Sequence, residues 1–212
     1  MLDQILQFDS DLLMTFQSAF VHDWLTPAVR FVTHLGNGGL VWIAIIAVLL
    51  VFGKTRKVAI CAAAALLISF IINNLILKNC IARTRPYDAI RGIQLLIERQ
   101  GDYSFPSGHS AASFVAAMSL FLGYGDKLRR RIGIPALALA VLIAMSRLYV
   151  GVHYPSDVLF GALDASFIAW AVYRIRLYIE ARKFKPAADP CEERRFSGQA
   201  ADTDTENIDK AQ

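Results

Sequence analysis

The charged residues of this chain leave long gaps, and those gaps constrain its fold more than any other feature. Val58–Leu77 is uncharged between Lys57 and Lys78, close to the run of about 20 residues that crosses roughly 30 Å of hydrocarbon. Residues 35–53 are uncharged between His34 and Lys54, and Leu40–Phe52 is strongly apolar. Three more apolar runs follow: His109–Tyr124, Ile132–Ser146 and Val158–Tyr173, the last broken only by Asp164. Pro135 lies near the start of its run, where a helix tolerates it. These three are short for a crossing and reach about 20 residues only if their helices continue into flanking polar residues. One such run would suit a buried helix of a soluble protein; five in a chain of 212 residues do not. With 55% hydrophobic and only 19% charged residues, the composition also fits a bilayer better than a water-facing surface. The expected fold is all-α, an integral membrane bundle of five or six transmembrane helices.

The first 37 residues follow a different pattern. Asp3, Asp9, Asp11, His22, Asp23, Arg30 and His34 interrupt every apolar stretch, while Leu12, Leu13, Phe16, Phe20 and Val21 recur at helical spacing. That combination suits an amphipathic helix lying in the interface, with a sixth, weakly hydrophobic span as the alternative. Residues 38–180 then form the membrane domain. Residues 181–212, with Pro186, Pro190 and the acidic stretch from Asp202 to Glu206, read as a disordered cytoplasmic tail. The N-terminal stretch Met1–Ser10 has no basic residue, so no cleaved signal peptide is expected. Cys61, Cys80 and Cys191 have no metal-site spacing, so no metal, disulfide framework or other cofactor is expected.

Basic residues set the orientation. Lys54, Arg56 and Lys57 link spans one and two, and Lys127, Arg129, Arg130 and Arg131 link spans three and four. Arg174, Arg176, Arg182, Lys183 and Lys185 follow span five. All three sites fall on one side of a five-span chain, which the positive-inside rule makes the cytoplasm. The net charge of +4 therefore reads as topology in a multi-pass protein of the cytoplasmic membrane, and no nucleic-acid partner is expected.

The opposite, extracytoplasmic side collects the chemistry. The segment from Lys78 to Arg85-Pro86 leaves span two, and Pro106-Ser107-Gly108-His109 enters span three. Ser146-Arg147, His153 and Asp157 bridge spans four and five. Alternating helices bring all three clusters to one level of one face. Lys78, Arg85 and Arg147 supply cations, and guanidinium forks match phosphate oxygens. Ser107 and Gly108 precede a helix, where backbone amides and the helix dipole favour an anion. Two histidines can divide the work of nucleophile and acid, with the Asp157 carboxylate accepting a hydrogen bond from one His153 ring nitrogen. Each piece alone has a plainer reading: interfacial anchors for the cations, a helix start for Ser-Gly, a surface pair for His153 and Asp157. Their joint occurrence at four span ends favours phosphoryl transfer.

The three motifs (Lys78, six residues, Arg85-Pro86; Pro106-Ser107-Gly108-His109; Ser146-Arg147, five residues, His153, three residues, Asp157) resemble those of the type 2 phosphatidic acid phosphatase superfamily, across roughly residues 36–178. All three match without departure. The resemblance implies that His153 forms a phosphohistidine, that Asp157 orients it, and that His109 protonates the leaving oxygen. It further implies that Lys78, Arg85, Ser107, Gly108 and Arg147 bind the phosphate without metal. Arg83 and Tyr87, flanking the first motif, are candidate substrate contacts. Asp164, an acid within a span, is either functional or bonded to a neighbouring helix. The implied partner is a lipid phosphate in the bilayer. Undecaprenyl diphosphate is the first expectation, phosphatidylglycerophosphate or phosphatidic acid the second, and a lipid phosphotransferase a further one. A catalytically dead transporter or scaffold would be expected to have lost Lys78, His109, Arg147, His153 or Asp157, and all five are present.

Overall fold

Why these residues form helices is clearest in the middle of the chain, where alanine and leucine runs meet few breakers. The computed structural model describes residues 2–183, and among them every regular element is helical. The helices are α1 (Leu2–Phe20), α2 (Thr26–Leu35), α3 (Leu40–Val51), α4 (Gly53–Phe70), α5 (Lys78–Ile81), α6 (Pro86–Ala89), α7 (Gly108–Gly123), α8 (Asp126–Leu128), α9 (Ile134–Tyr149) and α10 (Pro155–Lys183). A π-helical stretch, Ile71–Leu77, joins α4 to α5, and a second, Arg129–Gly133, joins α8 to α9. From residue 184 on, the expected cytoplasmic tail lies outside the described residues. The chain divides into two units, Met1–Ile175 and Arg176–Gln212. In the second, Arg176 Nε donates to Glu180 Oε1 at 3.2 Å along the helix.

Among the described residues, three helical runs are long and apolar enough to cross a membrane: Gly53–Ala89, Asp126–Tyr149 and Pro155–Lys183. A fourth arises if α2 and the Asn37–Val51 run count as one span bent by 46°. The run expected to cross first is thus broken at Gly36–Gly39, where Gly38 and Gly39 take positive φ. The α7 helix has 16 residues, about 24 Å at the helical rise. It is apolar but falls short of the length for a confident crossing.

Packing is inside out, as a bilayer requires. Small residues face inward: Ala59 and Ala62 of α4, Ala116 and Ala117 of α7 and Ala140 of α9 are buried around Trp42 and Ile143. They let backbones approach closely, which is how helices associate where lipid removes the hydrophobic drive. Large apolar residues such as Leu67, Leu163 and Phe167 point outward. The buried Trp42 indole is not left unsatisfied; it donates to Ser113 Oγ at 2.9 Å.

The N-terminal helix buries an unexpected face. Asp9, Leu13 and Gln17, one turn apart, are all buried, whereas Leu12 and Phe20 are exposed. Gln17 Nε2 donates to the carbonyls of Gln94 (3.0 Å) and Tyr149 (3.1 Å), and its Oε1 accepts from the Gln94 amide. These bonds tie α1 to the end of α9 and to the 90–107 loop. Gly151 then turns the chain toward His153 with φ +76°, and a Cβ there would fall 2.4 Å from the Gln94 carbonyl oxygen. Only glycine fits that turn.

Candidate active site

Each cluster reaches the site by a different device. The π-helical stretch carries the chain without a break to Lys78, which is buried. Beyond Ile81 the helix stops at Ala82 (φ 49°), and the chain extends to Arg85, followed by Pro86 at the start of α6. Ser107 caps α7: its Oγ accepts from the Ser110 amide (3.4 Å) and hydroxyl (3.0 Å). Arg147 ends α9, and the Gly151 turn returns His153 beside it.

Lys78, Arg85, Gly108, His109, Arg147 and His153 all line one cavity of 630 Å³. Arg85 is held from three sides. Its Nε donates to the Asp102 carbonyl (2.8 Å), Nη1 donates to the Val152 carbonyl (2.8 Å), and Nη2 pairs with Asp102 Oδ1. Lys78 Nζ meets the other Asp102 oxygen at 2.5 Å. Burial alone would raise the Asp102 carboxyl, but Lys78 and Arg85 outweigh it and hold it at about 2. Arg147, 1% exposed, donates through Nη1 to Thr33 Oγ1 (2.5 Å), while its Nε has no hydrogen-bond partner. Among the described residues Arg147 has no ion pair, so it is the cation with unused capacity for an anion.

His153 is almost wholly buried between two environments. Nδ1 lies 3.5 Å from Asp157 Oδ2, within ion-pair range but too long for a hydrogen bond, and it has no other partner. Nε2 is 3.4 Å from Arg85 Nη1. With the proton on Nδ1 facing the carboxylate, the Nε2 lone pair accepts this long contact from Arg85. Asp157 is pinned by Ser104 Oγ (2.5 Å) and the Tyr154 amide (3.0 Å) on Oδ2, and by Arg83 (2.6 Å) on Oδ1. His109 also lies on the cavity wall, with Nε2 3.0 Å from Asn37 Oδ1.

Several expected contacts lie elsewhere. The Ser107 amide donates to the Asp157 carbonyl at 3.1 Å, so it is not free to cradle an anion; Gly108 remains on the cavity wall. Arg83 turns away from the cavity, toward Asp9, Ser156 and Asp157. Tyr87 exchanges hydrogen bonds with Gln100 and pins the 90–107 loop. Asp164 accepts from Asn73 Nδ2 at 2.8 Å, the neighbouring-helix alternative. Sequence reading missed Asp102, Thr33, Asn37 and Asp9. Asp102 carried a faint signal, an acid shortly before the Ser107 motif. Nothing marked Thr33 or Asn37.

The profile of the PAP2 superfamily matches residues 58–181, over half of the chain. The chain belongs to the PAP2 superfamily. It is 36% identical over 135 residues to an undecaprenyl-diphosphatase of Sulfolobus acidocaldarius, a match covering 64% of this chain and 63% of that protein. It therefore spans less than two thirds of that relative. It is 30% identical over 194 residues to a lipid A 4'-phosphatase of Bacteroides thetaiotaomicron, covering 86% of this chain and 83% of the relative. Among solved structures it resembles the transmembrane PAP2 type phosphatidylglycerolphosphate phosphatase of Bacillus subtilis, with TM-score 0.65 and 27% identity over 87% of this chain and 90% of that one. The PAP2 relatives named here are lipid phosphatases, and this chain is a multi-pass, all-helical member.

The titration of His153, which lies in the loop between α9 and α10, checks this electrostatic picture. Burial above all, then the charges of Arg85 and Arg147, push its pKa down to about 4 against the opposing pull of Asp157. The depressed value means the folded protein holds His153 neutral where an unfolded chain would protonate it. Its contribution to stability is thus complete above about pH 6.5 and is lost as pH falls toward 4. In histidine-labelled protein, the resonance assigned by its loss in His153→Gln should stay neutral at pH 5 and titrate near 4. Titration near the ordinary histidine value would refute the buried, cation-flanked environment.

Proposed function

We propose that the chain is a metal-independent lipid phosphatase that transfers a phosphoryl group to His153 and then to water. The observation that carries this reading is the shared cavity: cations and both histidines line one end, and apolar side chains line the rest. Ile43, Ala47 and Leu50 of α3 face Ala63, Leu67 and Phe70 of α4 along its wall. From Lys78 back to Ala63 is about 20 Å of helix. Such a site suits a phosphate head group with a long hydrocarbon tail that enters from the bilayer.

The chemistry follows from the placement of the residues. The Nε2 lone pair of His153 attacks phosphorus while the bond to the leaving oxygen breaks. His109 gives that oxygen a proton. Lys78, Arg85 and Arg147, with the start of α7 at Gly108, offset charge on the phosphoryl oxygens, the role that metal ions fill elsewhere. Asp157 offsets the positive charge the imidazole gains on becoming phosphorylated. Water then attacks the phosphohistidine, with His109 now accepting its proton, and the N–P bond breaks to release phosphate.

The match to the archaeal undecaprenyl-diphosphatase supports undecaprenyl diphosphate as substrate. The near-complete overlap with the phosphatidylglycerolphosphate phosphatase supports the second reading, a glycerophospholipid monophosphate. Five spans account best for the chain, with α7 as the shortest and α2 plus α3 as one bent span. The basic link at 127–131 then lies in the cytoplasm, and the site opens outward.

Purified protein should release phosphate from undecaprenyl diphosphate or phosphatidylglycerophosphate in excess chelator, vanadate should inhibit it, and His153→Ala should abolish it. Activity that needs added magnesium would overturn the mechanism. Sidedness has its own test: on intact cells, a cysteine at Gln94 in a background without native cysteines should react with an impermeant maleimide, and one at Lys127 should not. The reverse pattern would place the site in the cytoplasm. For His109→Ala, loss should depend on the leaving group. A lipid alkoxide needs the acid, so first-turnover phosphorylation by phosphatidic acid should fall about 10²- to 10⁴-fold. A diphosphate leaves as a stable phosphate anion and should lose far less. Equal losses in rapid-quench experiments would make His109 a phosphate-binding group and not the acid.

A further inference from the structure

Behind His153, on the side away from the cavity, lies a buried ionic cluster in which α1 takes part. Asp9, 4% exposed, sits outside all three motifs and outside the span matched by the family profile. Its Oδ2 is 2.7 Å from Arg83 Nη2, while Arg83 Nη1 is 2.6 Å from Asp157 Oδ1. One guanidinium thus bridges two carboxylates from helices far apart in sequence. Asp9 also grips the first turn of α10: Oδ1 accepts the Ser156 amide (3.0 Å) and Oδ2 the Ser156 hydroxyl (2.5 Å). Arg83 Nη1 donates to that hydroxyl as well (2.7 Å), and the guanidinium stacks 3.7 Å above the Tyr154 ring.

We infer that Asp9 is a positioning residue of the reaction: by sharing Arg83 it leaves Asp157 with the negative charge that His153 needs on accepting the phosphoryl group. The inference rests on the phosphohistidine reading above. An isolated Arg83–Asp157 pair would be neutral, and its field at the imidazole would largely cancel. Asp9 and Asp157 together against one guanidinium leave one net negative charge, in a buried setting where charges are weakly screened. The same carboxylate fixes Ser156, the residue before Asp157, so charge and geometry are set by one side chain. A bare structural staple would need neither the second carboxylate on Arg83 nor its line through Asp157 to the nucleophile.

The test compares Asp9→Asn, Arg83→Gln and the double variant, with rapid-quench measurement of phosphohistidine formation from a radiolabelled lipid phosphate. Asp9→Asn makes the cluster neutral. Its rate should fall about 10- to 100-fold, as for loss of an outer partner of a reacting group, while KM stays within about threefold because Lys78, Arg85 and Arg147 are untouched. Arg83→Gln leaves two facing carboxylates that repel each other and draw in a proton, which takes charge from Asp157 and should also slow the step. The double variant restores one net negative charge and should recover most of the loss. A wild-type rate in Asp9→Asn, or a double variant whose loss is the product of the single losses, would overturn the inference. If Asp9→Asn does not fold, Arg83→Gln against the double variant decides: the double must be faster and melt higher. A wild-type enzyme that releases phosphate without forming phosphohistidine would remove the reaction reading and this inference together. Wild-type phosphohistidine formation that Asp9→Asn leaves unchanged would remove this inference alone.

Discussion

Burying cations at one end of an apolar helix bundle is the constraint around which the rest of this structure is arranged. Lys78, Arg85 and Arg147 are buried, and Arg83 is nearly so. Removing such groups from water costs several kcal/mol each unless they are paired and hydrogen-bonded. Full charge pairing is reached only at Arg83. Asp102 takes Lys78 and Arg85, and Asp9 and Asp157 take Arg83. Arg147 has only Thr33, so three cations at the cavity meet the single carboxylate of Asp102. The same imbalance that makes the site costly to bury would favour the phosphate group of the proposed substrate.

The scaffold follows from that need. Small residues on α4, α7 and α9 bring these helices close enough to hold the cluster from several sides. The Arg85 guanidinium shows how firmly: its donors end on the backbone of the 90–107 loop and of the His153 loop. Asp102, by contrast, has a side chain 52% exposed. The cations are therefore fixed, and their countercharge is the exposed partner, which an incoming phosphate would displace under the proposed function. Under that reading little of the site has to be assembled on binding, which lowers the ordering cost.

Much of this was legible in the sequence because charge gaps and motif spacing report what lies at span ends. The apolar run Val58–Leu77 became α4 and its π-helical extension, and the three motifs brought six of their residues to one cavity. What spacing cannot report is where a side chain points. Arg83 is two residues from Arg85, a spacing that puts both on one face of a regular extended strand, yet Arg83 pairs with Asp9 and Asp157 while Arg85 lines the cavity. Ser107 offers an amide by sequence, but the close approach of α10 consumes it with the Asp157 carbonyl. The α1 helix was the least legible element. A polar residue at an amphipathic boundary reads as solvent-facing, and only tertiary packing turned Asp9 and Gln17 inward.

The two nitrogens of His153 show why that inward turn matters. Nε2 faces Arg85 and the cavity, where cations disfavour a proton and keep the lone pair available. Nδ1 faces Asp157, backed by Arg83 and Asp9, where in the proposed mechanism negative charge offsets the positive charge the ring acquires on phosphorylation. A nucleophile needs both conditions in sequence, first a neutral ring and then a stabilised cationic one, and a single uniform environment cannot meet both. Placing cations on one edge of the ring and net negative charge on the other meets both without moving the side chain.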